Sequence, residues 1–495
     1  MGGAGGDGGA KPERSGSGGG AAKGGKKSWQ APKGTRDFYP ADLLRRRYII
    51  DAWRRVSLRH GFEEIDGPTF EDAELYTVKS GEGILGELFG AYSGKDPSDA
   101  AQVRGGGPPP FALRPEFTPT LARMYAARAR QLPQPTKWFC VSNFFRAERP
   151  QRGRLREFWQ WNADLIGDAT PDADLDSISC CAELLQDVGL SDNNAWVRVN
   201  NRKLLSAIVL KVAPKGELEA IVALVDRRLK LSEQAFDSEA SALGFRGLDL
   251  RATLGQVASR LAENDLSGIR SQYPEAIELY DVLEKAVASG LRRWLVPDLN
   301  IARGLAYYTG TVFELIAEGE RAVAGGGRYD KLIELFGGPP TPAVGFGMGD
   351  VVLTNLLDDR KLMPEGRELL EACSRPLPVR CDVFVVANES DAAQSKVVPV
   401  VAELRRGVES EKAKQGECTP WALDRYSVEP LHARRSYKAT KNIGKLLEDA
   451  SKCHARFAAI IENGETCTLK NLDSGEQVKE VPLGEIGRRV SRPGG

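Results

Sequence analysis

Apolar and polar positions along this chain change period several times, and each change predicts an element. From Ala41 to His60, Ile49, Trp53 and Val56 recur at i, i+4 and i+7, with Asp42 near the start and Gly61 past the end. That spacing predicts an amphipathic helix. A strand-like segment containing Pro68 follows, and the Gly/Pro-rich run from Ala91 to Pro110 reads as a loop. FALRPEFTPT (111–120) predicts a strand and a turn leading into a helix through Leu132. In KWFCVSNFFRAERPQRGRLREFWQWNADLIG (137–167) the period drops to two, predicting an aromatic-rich pair of strands. There Phe158, Gln160 and Asn162 alternate with Trp159, Trp161 and Ala163, so Gln160, Asn162 and Asp164 share one face.

Residues 205 to about 290 are rich in Leu, Ala, Glu, Lys and Arg with helical periodicity, as in LEAIVALVDRRLK, and predict a helical insertion. A β-rich pattern resumes from Asp298 to Phe346, implying one sheet continued across the insertion. The Pro/Arg linker SRPLPVR (374–380) precedes a region that alternates strands (CDVFVVA, RFAAIIENG) with helices (391–406, 441–452). This second pattern predicts a small α/β domain.

Composition narrows the class. The 495 residues suffice for two to four domains, and 41% hydrophobic with 27% charged residues is ordinary for a soluble globular protein. No run of about eighteen uncharged apolar residues occurs, so no spanning helix is expected. Lys plus Arg equals Asp plus Glu at 68 each, so contacts with nucleic acid must come from local patches. Eight scattered cysteines without a C-x-x-C pair point to reduced thiols in the cytoplasm, and no structural metal is expected. Three histidines far apart in sequence argue against a histidine metal cage or a Ser-His-Asp arrangement. Residues 1 to about 30 are Gly-rich and weakly basic, carrying Lys11, Arg14, Lys23, Lys26 and Lys27 against Asp7 and Glu13. Such a tail buries too little to offset chain entropy and is expected to be disordered.

The candidate chemistry is polar and anion-directed. Arg146, Arg149, Arg152, Arg154 and Arg156 crowd the loop between the two aromatic strands, offering planar donors for phosphate, although an exposed charged hairpin would look the same. Glu116 and Thr118 lie two apart, on one side of the chain if it is extended, and suit an ammonium group. Arg303 with Tyr307 and Tyr308 forms another polar cluster, and GGGRYD (325–330) offers backbone that a ligand can approach closely.

With these residues in view the chain resembles histidyl-tRNA synthetases, class II aminoacyl-tRNA synthetases, over about residues 31 to 490. The resemblance rests on PKGTRDFYP (32–40), HGFEEIDGPTFE (60–71), LRPEFT (113–118), FRAERPQRGRLREFWQW (145–161), RGLAYYTGTVFE (303–314), AGGGRYD (324–330) and TLKNLDSGEQ (468–477). It implies an α+β class II catalytic domain over 31–372, an antiparallel sheet flanked by helices and carrying the insertion. An anticodon-binding α/β domain over 381–489 is implied to follow. It also implies that Glu116, Phe117, Thr118, Arg146, Gln160, Asp164, Arg303, Tyr307 and Tyr308 hold histidine, and that Arg146, Glu148, Phe158 and Arg303 hold ATP. Arg146 and Arg303 would be the catalytic pair. The implied partners are histidine, ATP with Mg²⁺, tRNA(His) and a second copy in a homodimer formed through the 60–71 segment.

The sequence departs from the family pattern at named positions. Ala306 stands where the signature usually has Asp, and Asp164 where Glu is common. In PAVGFGMGDVVLTNLL (342–357), Val352 occupies the place where the family has an arginine that stacks on adenine and reaches the γ-phosphate, so either another arginine, such as Arg321 or Arg328, substitutes or ATP binding is weakened. In the last region Lys438, Lys441 and Lys445 are candidate phosphate contacts, and GVESEKAKQGECTP (407–420) reads as a solvated surface loop. The competing reading is a catalytically silent histidine-sensing paralogue, similar to the regulatory subunit of ATP phosphoribosyltransferase. A third is a tRNA-sensing regulatory domain like those fused to kinases, with no kinase here.

Overall fold

Helix α1 (Pro40–Arg59) starts at a proline, whose missing N–H costs nothing in a first turn, and buries Ile49, Trp53 and Val56 in one stripe. The computed structural model describes residues 29–491, except 81, 264, 302–306, 321, 439 and 441. The Gly-rich tail up to residue 28 lies outside the described residues.

The stripe of α1 packs on an eight-stranded sheet. Its strands are β1 (Glu63–Glu64), β2 (Thr136–Phe145), β3 (Glu157–Ile166), β4 (Ala195–Asn201), β5 (Leu295–Pro297), β6 (Thr311–Ala317), β7 (Ala324–Arg328) and β8 (Ala343–Gly349). They lie in the order β1-β2-β3-β8-β7-β6-β4-β5. The six central strands are antiparallel, as expected, but the short edge strands β1 and β5 pair in parallel, so the sheet is mixed. Helices between Arg202 and Ala288 leave the sheet after β4 and return to it at β5.

Trp159 and Trp161 face α1, and Trp161 stacks on Trp53 with ring centres 6.2 Å apart. The aromatic period-two run therefore buries one face in the core and leaves the opposite face polar. Local order departs from expectation at two points. A helix (Pro97–Arg104), capped by the Asp96 side chain, interrupts the supposed 91–110 loop. Thr118 opens helix α3 (Thr118–Arg128) instead of continuing an extended strand, and that helix stops before Leu132. Helix α2 (Ala73–Ser80) precedes it.

A second sheet follows the linker, with β9 (Val383–Ala387), β10 (Ala433–Arg435), β11 (Phe457–Ile461), β12 (Thr466–Asn471) and β13 (Gln477–Pro482) in the order β10-β9-β11-β12-β13. Its apolar core is its own. A buried ionic cluster joins it to α4 (Pro171–Asp187) of the first sheet. Arg405 donates to Asp176 at 3.0 Å and to His60 Nδ1 at 3.2 Å, Lys137 reaches Asp176 at 3.2 Å, and the Tyr437 hydroxyl donates to the same carboxylate. The 407–428 segment is not a plain solvated loop. Val408–Glu409 pairs with Tyr426–Val428, Arg375 donates to the carbonyls of Trp421 and Ala422, and Arg425 donates to the Gln186 carbonyl. Trp421 packs against the main core, so the segment brackets the two domains. No helix among the described residues is long and apolar enough to cross a membrane.

Candidate active site

Strand β3 carries the polar face, and its neighbour β8 supplies the space for a ligand. Gly345, Gly347 and Gly349 stand directly opposite Asp164, Asn162 and Gln160 in the antiparallel register. A Cβ on Gly345 would come within 2.1 Å of Asp164 Oδ1, and one on Gly347 within 2.2 Å of Gln160 Nε2. Glycine here is a requirement of close approach, because any side chain would fill the place beside those polar groups. The Gln160 Oε1 and Asn162 Nδ2 atoms are buried with no hydrogen-bond partner among the described residues. Orphaned polar atoms in such a recess are what a polar ligand satisfies.

Asp164 is buried, and burial pushes its carboxyl up to about 7, against the lowering pull of the Tyr329 hydroxyl that donates to it and of Lys79. Tyr307 and Tyr308 lie with ring centres 4.2 Å apart, and Tyr307 is 6.0 Å from Tyr329. Desolvation raises the hydroxyls of all three, that of Tyr308 to about 12, so they remain neutral donors. Glu116 receives Lys79 at 2.5 Å, and the same ammonium sits 4.5 Å from the centre of the Tyr307 ring. Glu116, Lys79, Tyr307, Tyr329 and Asp164 thus form one aromatic and acidic pocket fitted to a small cationic or imidazole-like group.

Next to it, Arg146 directly follows β2, with its guanidinium 5.1 Å from the Phe158 ring and its Nε donating to the Pro115 carbonyl at 3.2 Å. Both line a cavity of about 530 Å³ together with Gln160, Arg154, Lys230 and Val352. Gln160 therefore sits at the junction of the two spaces. No carboxylate is among the described residues lining the cavity, so its described lining, with Arg146, Arg154 and Lys230, is set for an anion. Among the described residues, no group of three or more His, Cys, Asp or Glu is arranged to hold a metal.

The expected site residues divide accordingly. Arg146, Gln160 and Phe158 line the cavity, while Asp164, Glu116, Tyr307 and Tyr308 form the pocket. Thr118 is half-buried at the start of α3. Phe117 is 1% exposed, edge-on to Phe144, in the buried cluster against which Tyr307 and Tyr308 pack. The Glu148 carboxylate is taken by Arg154, so it acts on the cavity only through that arginine. Arg328 does not substitute for the missing arginine. It is buried, with Nη2 2.7 Å from Asp174 Oδ2 and bonds to the carbonyls of Asp168 and Thr170, and it ties β7 to α4. Arg152 pairs with Asp359 and Glu320, and Lys438 with Asp449, so their charges are already engaged. Arg303, Ala306, Arg321 and Lys441 lie outside the described residues. Lys445 is exposed near the start of the helix Ile443–Lys452.

Tyr329, Lys79 and Lys230 carry no sequence signal that marks them for the site. Tyr329 lies inside the GGGRYD run, whose glycines are its visible feature. Neither lysine has a local pattern that sets it apart from solvated surface.

Against known proteins, the sequence profile of histidyl-tRNA synthetase matches residues 34–350. A histidine–tRNA ligase of Haloarcula marismortui is 35% identical over 477 residues, 94% of this chain and 98% of that protein. The histidine–tRNA ligase of Pyrococcus abyssi is 32% identical over 480 residues, 92% of this chain and 97% of that one. The crystal structure of histidyl-tRNA synthetase from Nostoc sp. PCC 7120 superposes with a TM-score of 0.55 at 22% identity, covering 94% of this chain and 99% of that chain, which speaks to the fold.

Proposed function

We propose that this chain, which belongs to the histidyl-tRNA synthetase family, activates histidine with ATP and transfers it to the 3′ end of its tRNA. The observation that carries the reading is the recess over the β8 glycines, where Gln160, Asn162 and Asp164 lie opposite Gly349, Gly347 and Gly345, beside a cavity of about 530 Å³ that has no carboxylate among its described lining residues.

In this reading Glu116, Thr118 and Gln160 take the histidine ammonium, and Asp164 with Tyr329 reads the imidazole in a pocket lined by Tyr307 and Tyr308. Phe158 stacks on adenine, and Arg146 grips the α-phosphate, with Arg303 of the signature run as the second cation. An oxygen of the histidine carboxylate attacks the α-phosphorus in line, the bond to the β-phosphate oxygen breaks, and pyrophosphate leaves. The tRNA 3′-hydroxyl then attacks the acyl carbon and AMP departs. Neither step needs an internal nucleophile, because positioning and charge neutralisation supply the rate. Mg²⁺ enters with the substrate as MgATP.

The catalytic unit over 31–372 works with an anticodon-binding unit over 381–489, in a homodimer formed through the 60–71 segment. The eight unpaired cysteines fit a reducing cytoplasm. The histidine-sensing alternative is not favoured, since full-length relatives on both sides of the comparison are ligases by name.

The test is amino-acid-dependent ATP–pyrophosphate exchange without tRNA. Exchange with histidine alone among a panel of amino acids is expected, and Arg303→Ala should remove it while histidine still binds. Histidine binding with no exchange in the unmodified protein would return the chain to the sensing class.

A further inference from the structure

We infer that Lys230, carried by the helical insertion, supplies the cation for the β- and γ-phosphates of ATP that Val352 does not. The inference rests on the ligase reading and adds a binding residue to it.

The argument begins with charge. A triphosphate brings about four negative charges, and separating pyrophosphate from the α-phosphorus requires that they be matched by the accompanying Mg²⁺ together with fixed cations. Arg146 lines the cavity over the Phe158 ring and, in the ligase reading, is committed to the α-phosphate. Arg154, on the loop, is already paired with Glu148. Val352, at the start of α5 (Asp350–Asp359), contributes only apolar surface. Lys230 completes the lining, and among the described residues no carboxylate lies within ion-pair distance of it. A lysine is a compact point charge on a flexible stem, suited to following a leaving group, where an arginine would fix it by two parallel bonds.

Its base is held. Lys230 closes the short turn Arg228–Lys230, and Arg228 Nη1 donates to Asn300 Oδ1 at 2.8 Å. Asn300 is in turn fixed by Asp298, with bonds of 2.9 Å from its backbone and 2.8 Å from its side chain. The flanking carbonyls of Leu299 and Ile301 accept from Asn200 at the end of β4. The turn is therefore pinned to the main sheet, and the lysine is delivered to the cavity from outside the class II framework.

The experiment compares Lys230→Ala and Lys230→Arg with the unmodified protein in histidine-dependent exchange without tRNA, varying ATP and histidine separately. Loss of one charge-assisted contact should raise the KM for ATP on the order of tenfold in Lys230→Ala, with the KM for histidine unchanged and partial rescue by arginine. The side chain is exposed, so the unfolding temperature should not move. An unchanged KM for ATP in Lys230→Ala overturns the inference, and if aminoacylation of tRNA by the same variant then shows a raised KM for tRNA, the lysine is an RNA contact instead. If the unmodified protein shows no exchange, the ligase reading fails on its own. Equilibrium binding of a non-hydrolysable ATP analogue to the two proteins then decides Lys230, equal affinities counting against it.

Discussion

The ammonium of Lys79 lies 2.5 Å from the Glu116 carboxylate and over the face of Tyr307, the spot a substrate α-ammonium would need. An incoming amino acid must displace an internal cation that satisfies the same carboxylate. Lys79→Met should therefore lower the KM for histidine several-fold while leaving the KM for ATP unchanged, measured by pyrophosphate exchange. A higher KM together with a lower kcat would make Lys79 a contact to the bound amino acid instead of a competitor.

Asp164 should give histidine binding a pH dependence. With its carboxyl pushed to about 7, it is protonated in the empty site at lower pH, whereas a donor N–H of a bound imidazole favours the ionised form. Affinity should rise with pH through about 7, beyond what the imidazole's own titration gives. Asp164→Asn should remove that excess, and identical calorimetric pH profiles for the two proteins would refute the assignment. The same shift acts on stability with the opposite sense. Between about 4 and 7 the folded protein holds a proton that the unfolded chain has released, so ionising Asp164 costs stability on the order of 3 to 4 kcal/mol as pH rises across that window.

Gly345→Ala tests the recess directly. Its Cβ would strike Asp164 Oδ1 and, at 2.8 Å, the Ala163 carbonyl, so backbone or carboxylate must shift. The expected result is a loss of stability of about 1–3 kcal/mol, as for other overpacked sites, with histidine binding reduced by more than tenfold. Thermal unfolding and calorimetry report the two effects separately.

The domain junction should be sensitive to truncation of Arg405. This guanidinium is 3% exposed and bonds Asp176, His60 and the Ala433 carbonyl. Burial alone would raise Asp176, but the charges of Lys137, Arg405 and Arg435 hold it well below the usual carboxylate range. Arg405→Ala should cost about 3–5 kcal/mol, since part of a buried pairing is left without its partner. Denaturant unfolding should show it, and an unchanged midpoint would mean that the cluster does not join the domains.

His60 gives the junction an acid limit. Because the arginine can only donate, His60 Nδ1 is the acceptor and Nε2 carries the proton toward Glu183 at 2.9 Å. Burial lowers this imidazole to about 4. Its contribution is fully present above the unfolded value near 6.5 and is lost as pH falls from there to about 4, amounting to about 3 kcal/mol. His60→Gln should flatten that part of the stability profile, and an undiminished acid slope would assign it elsewhere.

Features encoded within a single element are legible in the chain before it folds. The stripe of Ile49, Trp53 and Val56 specified α1, and period two in the 157–166 run put Gln160, Asn162 and Asp164 on one face, because side-chain direction follows backbone repeat. The motifs around Arg146, Phe158 and the two tyrosines likewise named residues that do line the recess. Only tertiary structure decided who meets whom. The five arginines of the 146–156 loop look alike in sequence, yet Arg146 faces the cavity, Arg152 and Arg154 are held by carboxylates, and Arg328, a candidate for the phosphate, is buried against Asp174. Lys79 and Tyr329 reach the pocket from elements 37 residues before Glu116 and 165 residues after Asp164, and Lys230 arrives from the insertion. Such partnerships depend on how the sheet, its register and the insertion close in space, and no local periodicity records them.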